Sequence, residues 1–419
     1  MSTVTAQQIE PAAVTPKPTV GSIAQDYLAR IRGGDLGALP AVLGLLVLCV
    51  FFGIMRPAFF SAGNFANLFT QGAAVAVIAM GLIFVLLLGE IDLSAGYTSG
   101  VCAAVLAQLV SIHGYPWYIA VLAALVTGIV IGTVLGFLVA KVGIPSFVVT
   151  LAAFLAFQGT VLLLIKGGTN VSIGDDVIVA IENRNLPAWL GWVMVLVAAG
   201  GYGAIQLLSL RRRQQRGLVT EPLLVVIGRI AGLTLILALA VYFLNIERSV
   251  NPAFNSLKGV PIVVPIIAIL LVIWTFVLRR TAYGRHIYAV GGSREAARRA
   301  GINVDKIRIS VFMICSFMAA IGGIIAASRA RSVDPNTGGS SVLLYAVGAA
   351  VIGGTSLFGG KGRVLDAVLG GAVIAVIDNG MGLMNLSSGQ KYVFTGSVLL
   401  LAAGVDALSR RRAAATGLR

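Results

Sequence analysis

The 419-residue chain is poor in nearly everything that chemistry in a water-facing active site requires. Only 11% of its residues are charged, against about 25% in an ordinary soluble domain. With 58% apolar residues there is too little polar surface to face water, which leaves a polytopic membrane protein as the class. The three cysteines, Cys49, Cys102 and Cys315, all lie inside apolar runs, so neither a disulfide framework nor a thiolate metal site is expected. The two histidines, His113 and His286, stand far apart and outside any HExxH context. No catalytic triad, metal cluster or nucleotide-binding loop can be assembled. The run Gly353-Gly354-Thr355-Ser356-Leu357-Phe358-Gly359-Gly360-Lys361-Gly362 has the look of a phosphate loop but not its spacing. Thr355 falls where glycine is required, and Gly362 falls where Ser or Thr should bind magnesium. It reads instead as close helix approach through small residues, followed by a turn anchored by Lys361 and Arg363. No cofactor is therefore expected on this chain. Uphill transport would need an ion gradient or a partner that binds ATP.

Charge of one sign is plentiful, at +15 net. No basic stripe is interleaved with aromatics, which excludes a nucleic-acid surface. Arg clusters beside apolar runs are topology signals. A span needs roughly twenty apolar residues, and about twelve candidates are present: 38–55, 72–88, 94–112, 117–140, 147–165, 188–210, 223–244, 260–278, 309–327, 341–358, 364–384 and 392–408. Glycine is dense from 348 to 371, so some of these can be half-helices or re-entrant pieces, giving 10–12 spans in an all-α transmembrane bundle. With the N-terminus in the cytoplasm, alternation puts 23 of the 31 Lys and Arg residues inside. Both termini are then expected to be cytoplasmic. Residues 1–37, with Pro11, Pro16 and Pro18, are expected to be a mobile cytoplasmic tail. The apolar run from Leu39 starts too late for a signal peptide. Residues 38–408 form the transmembrane domain and 409–419 a basic cytoplasmic tail. The 166–187 segment, with Asp175, Asp176 and Glu182, falls outside as a possible lip. The basic 211–222 segment falls inside as a stop-transfer anchor.

The longest polar interruption, Arg279 to Arg308, carries eight of the 31 Lys and Arg residues. Ser293 is placed to cap a helix over Arg294–Ala300 that Gly301 ends. Glu295 in its first turn and Arg298 and Arg299 in its last suit the helix dipole. Such a helix is only about 10 Å long, too short to span a bilayer but able to present a face to another protein.

Polar groups within apolar surroundings are the remaining candidates. In Gly89-Glu90-Ile91-Asp92-Leu93-Ser94 the acids would cost about 2.5–3.5 kcal/mol each at bilayer depth. Asp92 or Ser94 caps the third span, or the pair lines or gates a polar pathway at a broken helix. Gln71, Asn67 and Gln158 are either satisfied packing residues or face the same interior. Asp378 and Asn379 in the eleventh span serve either a pathway or helix–helix hydrogen bonding.

Glu295-Ala296-Ala297-Arg298-Arg299-Ala300-Gly301 resembles the EAA-x-x-x-G pattern of ABC importer permeases. The Leu-Pro ending of that motif is replaced by Ile309-Ser310-Val311-Phe312. The 89–94 stretch is similar to the G-x-I/V-D-L-S signature of ribose-, xylose- and arabinose-type monosaccharide permeases. Ile144-Pro145-Ser146-Phe147-Val148-Val149-Thr150-Leu151 and the 353–360 stretch also resemble that family. Asp378-Asn379-Gly380-Met381 and the extra segment near 190–245 most resemble its xylose-type members. Asp366 departs from the small residue expected there. The resemblance covers about residues 60 to 412. It implies a homodimer of permease copies in a bacterial inner membrane, two ATPase subunits holding ATP and Mg, and a periplasmic or lipid-anchored sugar-binding protein. The 279–308 loop would dock the ATPase through Ser293, Glu295, Ala296, Ala297 and Gly301. Glu90, Asp92, Ser94, Gln71, Gln158, Asp378 and Asn379 would be the candidate pathway residues. An ion-coupled secondary transporter using Glu90 and Asp92 is the alternative.

Overall fold

The computed structural model describes residues 37–165, 169–253 and 256–415, with isolated positions 21, 22, 25 and 29. The tail expected over 1–37 otherwise lies outside the described residues. In chain order the helices are α1 (Leu39–Met55), α2 (Ala62–Leu87), α3 (Ala95–Ala107, prolonged by a wider turn over Gln108–Ile112), α4 (Trp117–Phe137, prolonged over Leu138–Val142) and α5 (Ser146–Leu164). There follow α6 (Asp176–Asn183), α7 (Ala188–Gln215), α8 (Leu223–Leu244), α9 (Val263–Arg280), α10 (Ala282–Gly292), α11 (Arg294–Arg299) and α12 (Val304–Ala330). Last come α13 (Ser340–Ile352), α14 (Val364–Leu383) and α15 (Ser388–Ala415). Two two-residue strands, β1 (Val171–Ser172) and β2 (Ser332–Val333), pair antiparallel. Each of the twelve apolar stretches contains a helix, although the 341–358 stretch is helical only as far as Ile352. Among the described residues nine are long and apolar enough to cross a membrane, whereas Leu39–Met55 and Ser340–Ile352 are shorter.

The packing follows from where the small residues fall. On α4, Ala120, Ala124, Gly128, Gly132 and Gly136 recur every fourth residue and are buried. Leu122, Val126, Val130 and Val134 recur at the same period on the other side and are exposed. Residues four apart share one helix face. One face of α4 thus suits lipid while the other lets α12 approach closely. Lipid tails are as apolar as leucine, so close packing rather than water exclusion holds such helices together. A Cβ added at Gly128 would sit 2.7 Å from the Ser316 carbonyl oxygen, and one at Gly136 would sit 2.7 Å from the Ile309 Cα. Helices α2, α3, α12 and α14 are mostly buried, and α5, α7, α8 and α9 surround them with exposed aliphatic faces.

Two elements break within this bundle. The chain leaves α2 at Leu87, runs without helix through 88–94, and only then starts α3. After β2 it runs without helix through 334–339 before α13, whose 13 residues give about 20 Å of rise, short of a bilayer core of about 30 Å. The two broken elements meet, since a Cβ at Gly96 would lie 2.8 Å from the Gly338 carbonyl oxygen. From that contact α3 runs toward the face that carries α6 and the β1–β2 pair, and α13 runs toward the face that carries α11. The expected 409–419 tail is helical as far as Ala415, as the end of α15.

The Asp366 departure is also explained. Asp366, 2% exposed, accepts from the Arg363 backbone N–H at 2.8 Å and from the Arg363 Nε and Nη2 at 3.1 and 2.9 Å. Thr355 Oγ1 donates to it at 3.3 Å. The acid closes the start of α14 and holds the 353–360 turn against it.

The α4–α12 contact yields a stability test. Gly132→Ala puts a methyl group 2.7 Å from the Met313 Cα, an overpacking that costs about 1–3 kcal/mol. Gly159→Ala on α5 meets nothing within 4 Å and removes a helix-interior glycine, a gain of about 0.5–1 kcal/mol. Thermal unfolding of the detergent-solubilised protein is expected to fall for the first and to hold or rise for the second.

Candidate coupling and transport site

The polar stretch from Arg279 to Arg308 is more structured than one short helix in a loop. The α10 helix fills its first half. Thr281 Oγ1 caps α10 by accepting from the Gly284 N–H at 3.1 Å, and Ile287 and Val290 are its buried side chains. Their spacing from Tyr283 is a helical period that the sequence reading passed over because charge dominated the window. Ser293 Oγ caps α11, accepting from the Ala296 N–H at 3.2 Å. Asn303 Oδ1 caps α12, accepting from the Lys306 N–H at 3.0 Å. The short helix stops at Arg299, one residue before the expected end. Gly301 leaves it at φ +81°, a left-handed conformation that costs glycine little. Ala297 is the buried side chain of α11, and Ser293, Glu295, Ala296 and Gly301 are exposed. Glu295 pairs with Arg299 one turn on, at 3.1 Å. The helix is a small, capped projection that rests on one alanine.

Glu90 does not face an apolar bundle. It is 4% exposed and is the acceptor for two guanidinium groups. Arg294 Nη2, from the first residue of α11, lies 2.8 Å from Glu90 Oε1. Arg308, from the start of α12, places Nη2 at 2.6 Å and Nε at 2.9 Å from the same oxygen. Removing one member of a buried pair costs about 3–5 kcal/mol, because the survivor is left uncompensated. The sequence reading did not single out either arginine.

Asp92 and Ser94 act together at the start of α3. Asp92 Oδ1 accepts from the Ser94 N–H at 2.9 Å and from its hydroxyl at 2.6 Å, so Asp92 serves the first turn and Ser94 makes no side-chain cap of its own. Between the two acids, the Ile91 N–H donates to Ser146 Oγ at 3.3 Å, and the Ile91 carbonyl accepts from Thr150 Oγ1 at 3.3 Å. The 88–94 segment is thereby fastened to α5, through the Ser146 and Thr150 of the 144–151 stretch. Gly89 has φ +67°, and a Cβ there would meet the Phe358 carbonyl oxygen at 3.3 Å. The 89–94 and 353–360 stretches, 264 residues apart at their first positions (89 and 353), are neighbours.

The other candidates lie elsewhere. Asn379 exchanges two hydrogen bonds with Asn64, at 2.9 and 2.8 Å, so its role here is a helix–helix link between α14 and the start of α2. Asn64 also donates to the Phe59 carbonyl at 2.9 Å. Asp378 is not buried as expected; its side chain is 46% exposed and lies 3.7 Å from Lys391 Nζ. Gln71, on α2 a few turns from Asn64, has a buried Oε1 without a partner. Gln158 is partly buried on α5. Because Asn64 and Leu87 stand 23 residues apart on α2, about 35 Å of rise separates the asparagine pair from the Glu90 cluster. The sequence candidates thus divide between two ends of the bundle. Among the described residues no group of three or more His, Cys, Asp or Glu could hold a metal.

One acid of the 166–187 segment behaves unexpectedly. Asp175 Oδ1 caps α6, accepting from Val177 and Ile178 at 3.0 and 3.1 Å, but Glu182 turns inward. Its backbone N–H donates to Ser328 Oγ at 3.1 Å, and Asn183 Nδ2 donates to the Ser328 carbonyl at 2.7 Å. Both carboxyl oxygens of Glu182 are buried without a hydrogen bond. Burial pushes its pKa up to about 8, against a weaker downward pull from Arg329. A carboxyl raised in this way keeps its proton in the folded state while the unfolded chain loses it. Stability should therefore fall as pH rises from about 4.5 to about 8 and level off above. Thermal unfolding measured from pH 5 to 9 is expected to show that decline, and Glu182→Gln is expected to flatten it.

Residues 64–403 match a family profile described as branched-chain amino acid transport system / permease component. A xylose transport system permease protein of Escherichia coli K12 is 38% identical over 355 residues, 85% of this chain and 87% of that protein. The xylose permease protein of Haemophilus influenzae is 32% identical, with 91% of this chain and 99% of that protein covered. A ribose import permease protein of E. coli K12 is 31% identical, with 87% and 92% covered. No solved structure matches. A profile that covers most of the chain, and relatives above 30% identity along nearly their whole length, place the protein: it belongs to the transport-system permease component family.

Proposed function

We propose that the chain is the membrane-spanning permease subunit of an ATP-driven importer for a monosaccharide, xylose or a related pentose or hexose. The observation that carries this reading is the 38% identity to a xylose permease over 85% of the chain. The family description names branched-chain amino acids, but the three relatives named above are all sugar permeases, and an uncharged sugar suits the chain's chemistry better. Among the described buried polar residues, hydroxyl side chains such as Ser94, Thr98, Ser99, Thr150 and Ser316 outnumber acids. Nothing in this subunit acts chemically on the sugar.

In this reading the α11 face is cytoplasmic, as the Lys and Arg distribution favours. Two permease copies form the passage, a sugar-binding protein delivers cargo to the α6 face, and an ATPase subunit receives α11. The exposure of Glu295, Ala296 and Gly301 on a capped helix supports that docking. The opposing reading is a carrier coupled to an ion through Glu90 and Asp92. The ion pairs of Glu90 with Arg294 and Arg308 weigh against it, since an ion-coupling acid must be free to change its protonation or its ion.

Labelled xylose, ribose, arabinose, galactose and glucose offered to a strain lacking the gene, and to the complemented strain, test the reading. Uptake is expected to return only when the ATPase subunit is present, and to persist when the proton gradient is collapsed but ATP is maintained. Uptake without any ATPase subunit would overturn the reading. Gly301→Val forces a β-branched residue into the left-handed region, and Glu295→Lys reverses the exposed charge. Each is expected to lower uptake at least about tenfold, an effect of about 1.4 kcal/mol, with membrane insertion retained.

A further inference from the structure

Four chain segments converge beneath α11. The α2 helix ends there, and its Leu87 carbonyl accepts from the Gly360 N–H at 2.9 Å. A Cβ added at Gly291, next to the end of α10, would lie 3.1 Å from the Gly360 nitrogen. Tyr288 Oη donates to the Gly362 carbonyl at 2.7 Å. At the centre, Glu90 Oε1 is shared by Arg294 of α11, at 2.8 Å, and Arg308 of α12, at 2.6 Å. Arg294 Nη2 also reaches the Leu88 carbonyl at 3.4 Å.

Among the described residues, Arg294–Glu90 is the one ion pair that links α11 to another element, because Glu295–Arg299 is internal to the helix. Ala297 supplies apolar contact, which has no preferred direction. The ion pair has one. Its acid sits in the irregular 88–94 segment, two residues before Asp92, which is hydrogen-bonded to the start of α3. The irregular segment 353–363, which follows α13, reaches the same place through Gly360. The two segments therefore join the α11 face to α3 and α13, whose starting ends lie together at Gly96 and Gly338.

We propose that Glu90 is the positioning residue that transmits movement of the docking helix α11 to the start of α3, and through the Leu87–Gly360 contact to the segment that ends α13. Two guanidinium groups on one oxygen make this a shared latch. When α11 shifts, Arg294 draws on Glu90 while Arg308 keeps the acid neutralised from the α12 side. The segments on either side are fastened by hydrogen bonds, Ile91 to Ser146 and Thr150 and Leu87 to Gly360. The inference rests on the importer reading, because it presumes that an ATPase subunit moves α11.

The test uses the complete importer, with permease, ATPase subunit and sugar-binding protein, in proteoliposomes. Glu90→Gln is expected to assemble with the ATPase subunit and to keep its basal ATP hydrolysis. It is also expected to lose the stimulation of hydrolysis by sugar-loaded binding protein and at least about tenfold of sugar imported per ATP. Glu90→Asp is expected to keep most of that ratio. Where Glu90→Gln fails to fold, Arg294→Gln, at a side chain 46% exposed, removes the α11 arm alone and is expected to uncouple in the same way. Parental sugar imported per ATP in Glu90→Gln, or in Arg294→Gln, overturns the proposal. So does loss of ATPase binding in Arg294→Gln, which would make the pair part of the docking surface. Sugar uptake by the unaltered permease with no ATPase subunit overturns the importer reading instead, a result the Glu90 variants cannot mimic.

Discussion

The carboxylate of Glu90, held by two guanidinium groups that come from residues 294 and 308, is the interaction on which the arrangement of one face depends. Taking an isolated carboxylate out of water costs several kcal/mol even after relaxation. The chain cannot bury this acid unless α11 and α12 bring their arginines to it. Conversely, α11 has one apolar side chain to rest on and would swivel without the ionic contact. The acid and the two arginines thus require each other. The acid sits between the end of α2 and the start of α3, and the 353–360 turn lies against the same place through the Leu87 carbonyl.

The interior of the bundle is governed by a different constraint, which is closeness. Helices in lipid gain little from burying leucine on leucine, so they meet where side chains are smallest. The Ala120, Ala124, Gly128, Gly132 and Gly136 row on α4 and the Gly96–Gly338 crossing are two instances. At the crossing, the backbones of two broken elements touch, which a single larger side chain would prevent. Irregular backbone is tolerated at this depth only where protein or a cavity surrounds it. The carbonyls of Leu88 and Ile91 are accordingly taken up by Arg294 and Thr150.

What the sequence disclosed was local. The twelve apolar stretches, the Ser293 cap and the Gly301 stop are encoded within a turn or a span, and each is found as a helix, a hydrogen bond or a positive φ. The α10 helix was missed because the charges on its exposed side masked an apolar face only three residues wide. The partners were not legible. Glu90 and Arg308 are 218 positions apart, and Asn64 and Asn379 are 315 apart. Pairing across such distances depends on how whole helices pack, and no periodicity within either segment records it. Asp378 was misjudged for a related reason. Its place near the end of α14 lets it reach Lys391 at the edge of the bundle, and an apolar neighbourhood in sequence does not reveal that edge.

The distribution of buried charge finally bears on what can pass. Glu90 is neutralised by two arginines and Asp366 by Arg363, and Asp92 gives one of its oxygens to the first turn of α3. A passage for an ionic solute would need an uncommitted charge at its narrowest region, where desolvation of the cargo must be offset. Among the described residues Asp92 keeps one buried oxygen without a partner and Glu182 keeps two, and Glu182 belongs to α6, an eight-residue helix outside the candidate spans. Its raised pKa keeps much of it protonated near neutrality, so even there the site can offer a neutral hydrogen-bonding group. A bundle whose described buried polar side chains are mainly hydroxyls, with Glu90 and Asp366 already paired to arginines, is suited to a solute that carries many hydroxyls and no charge.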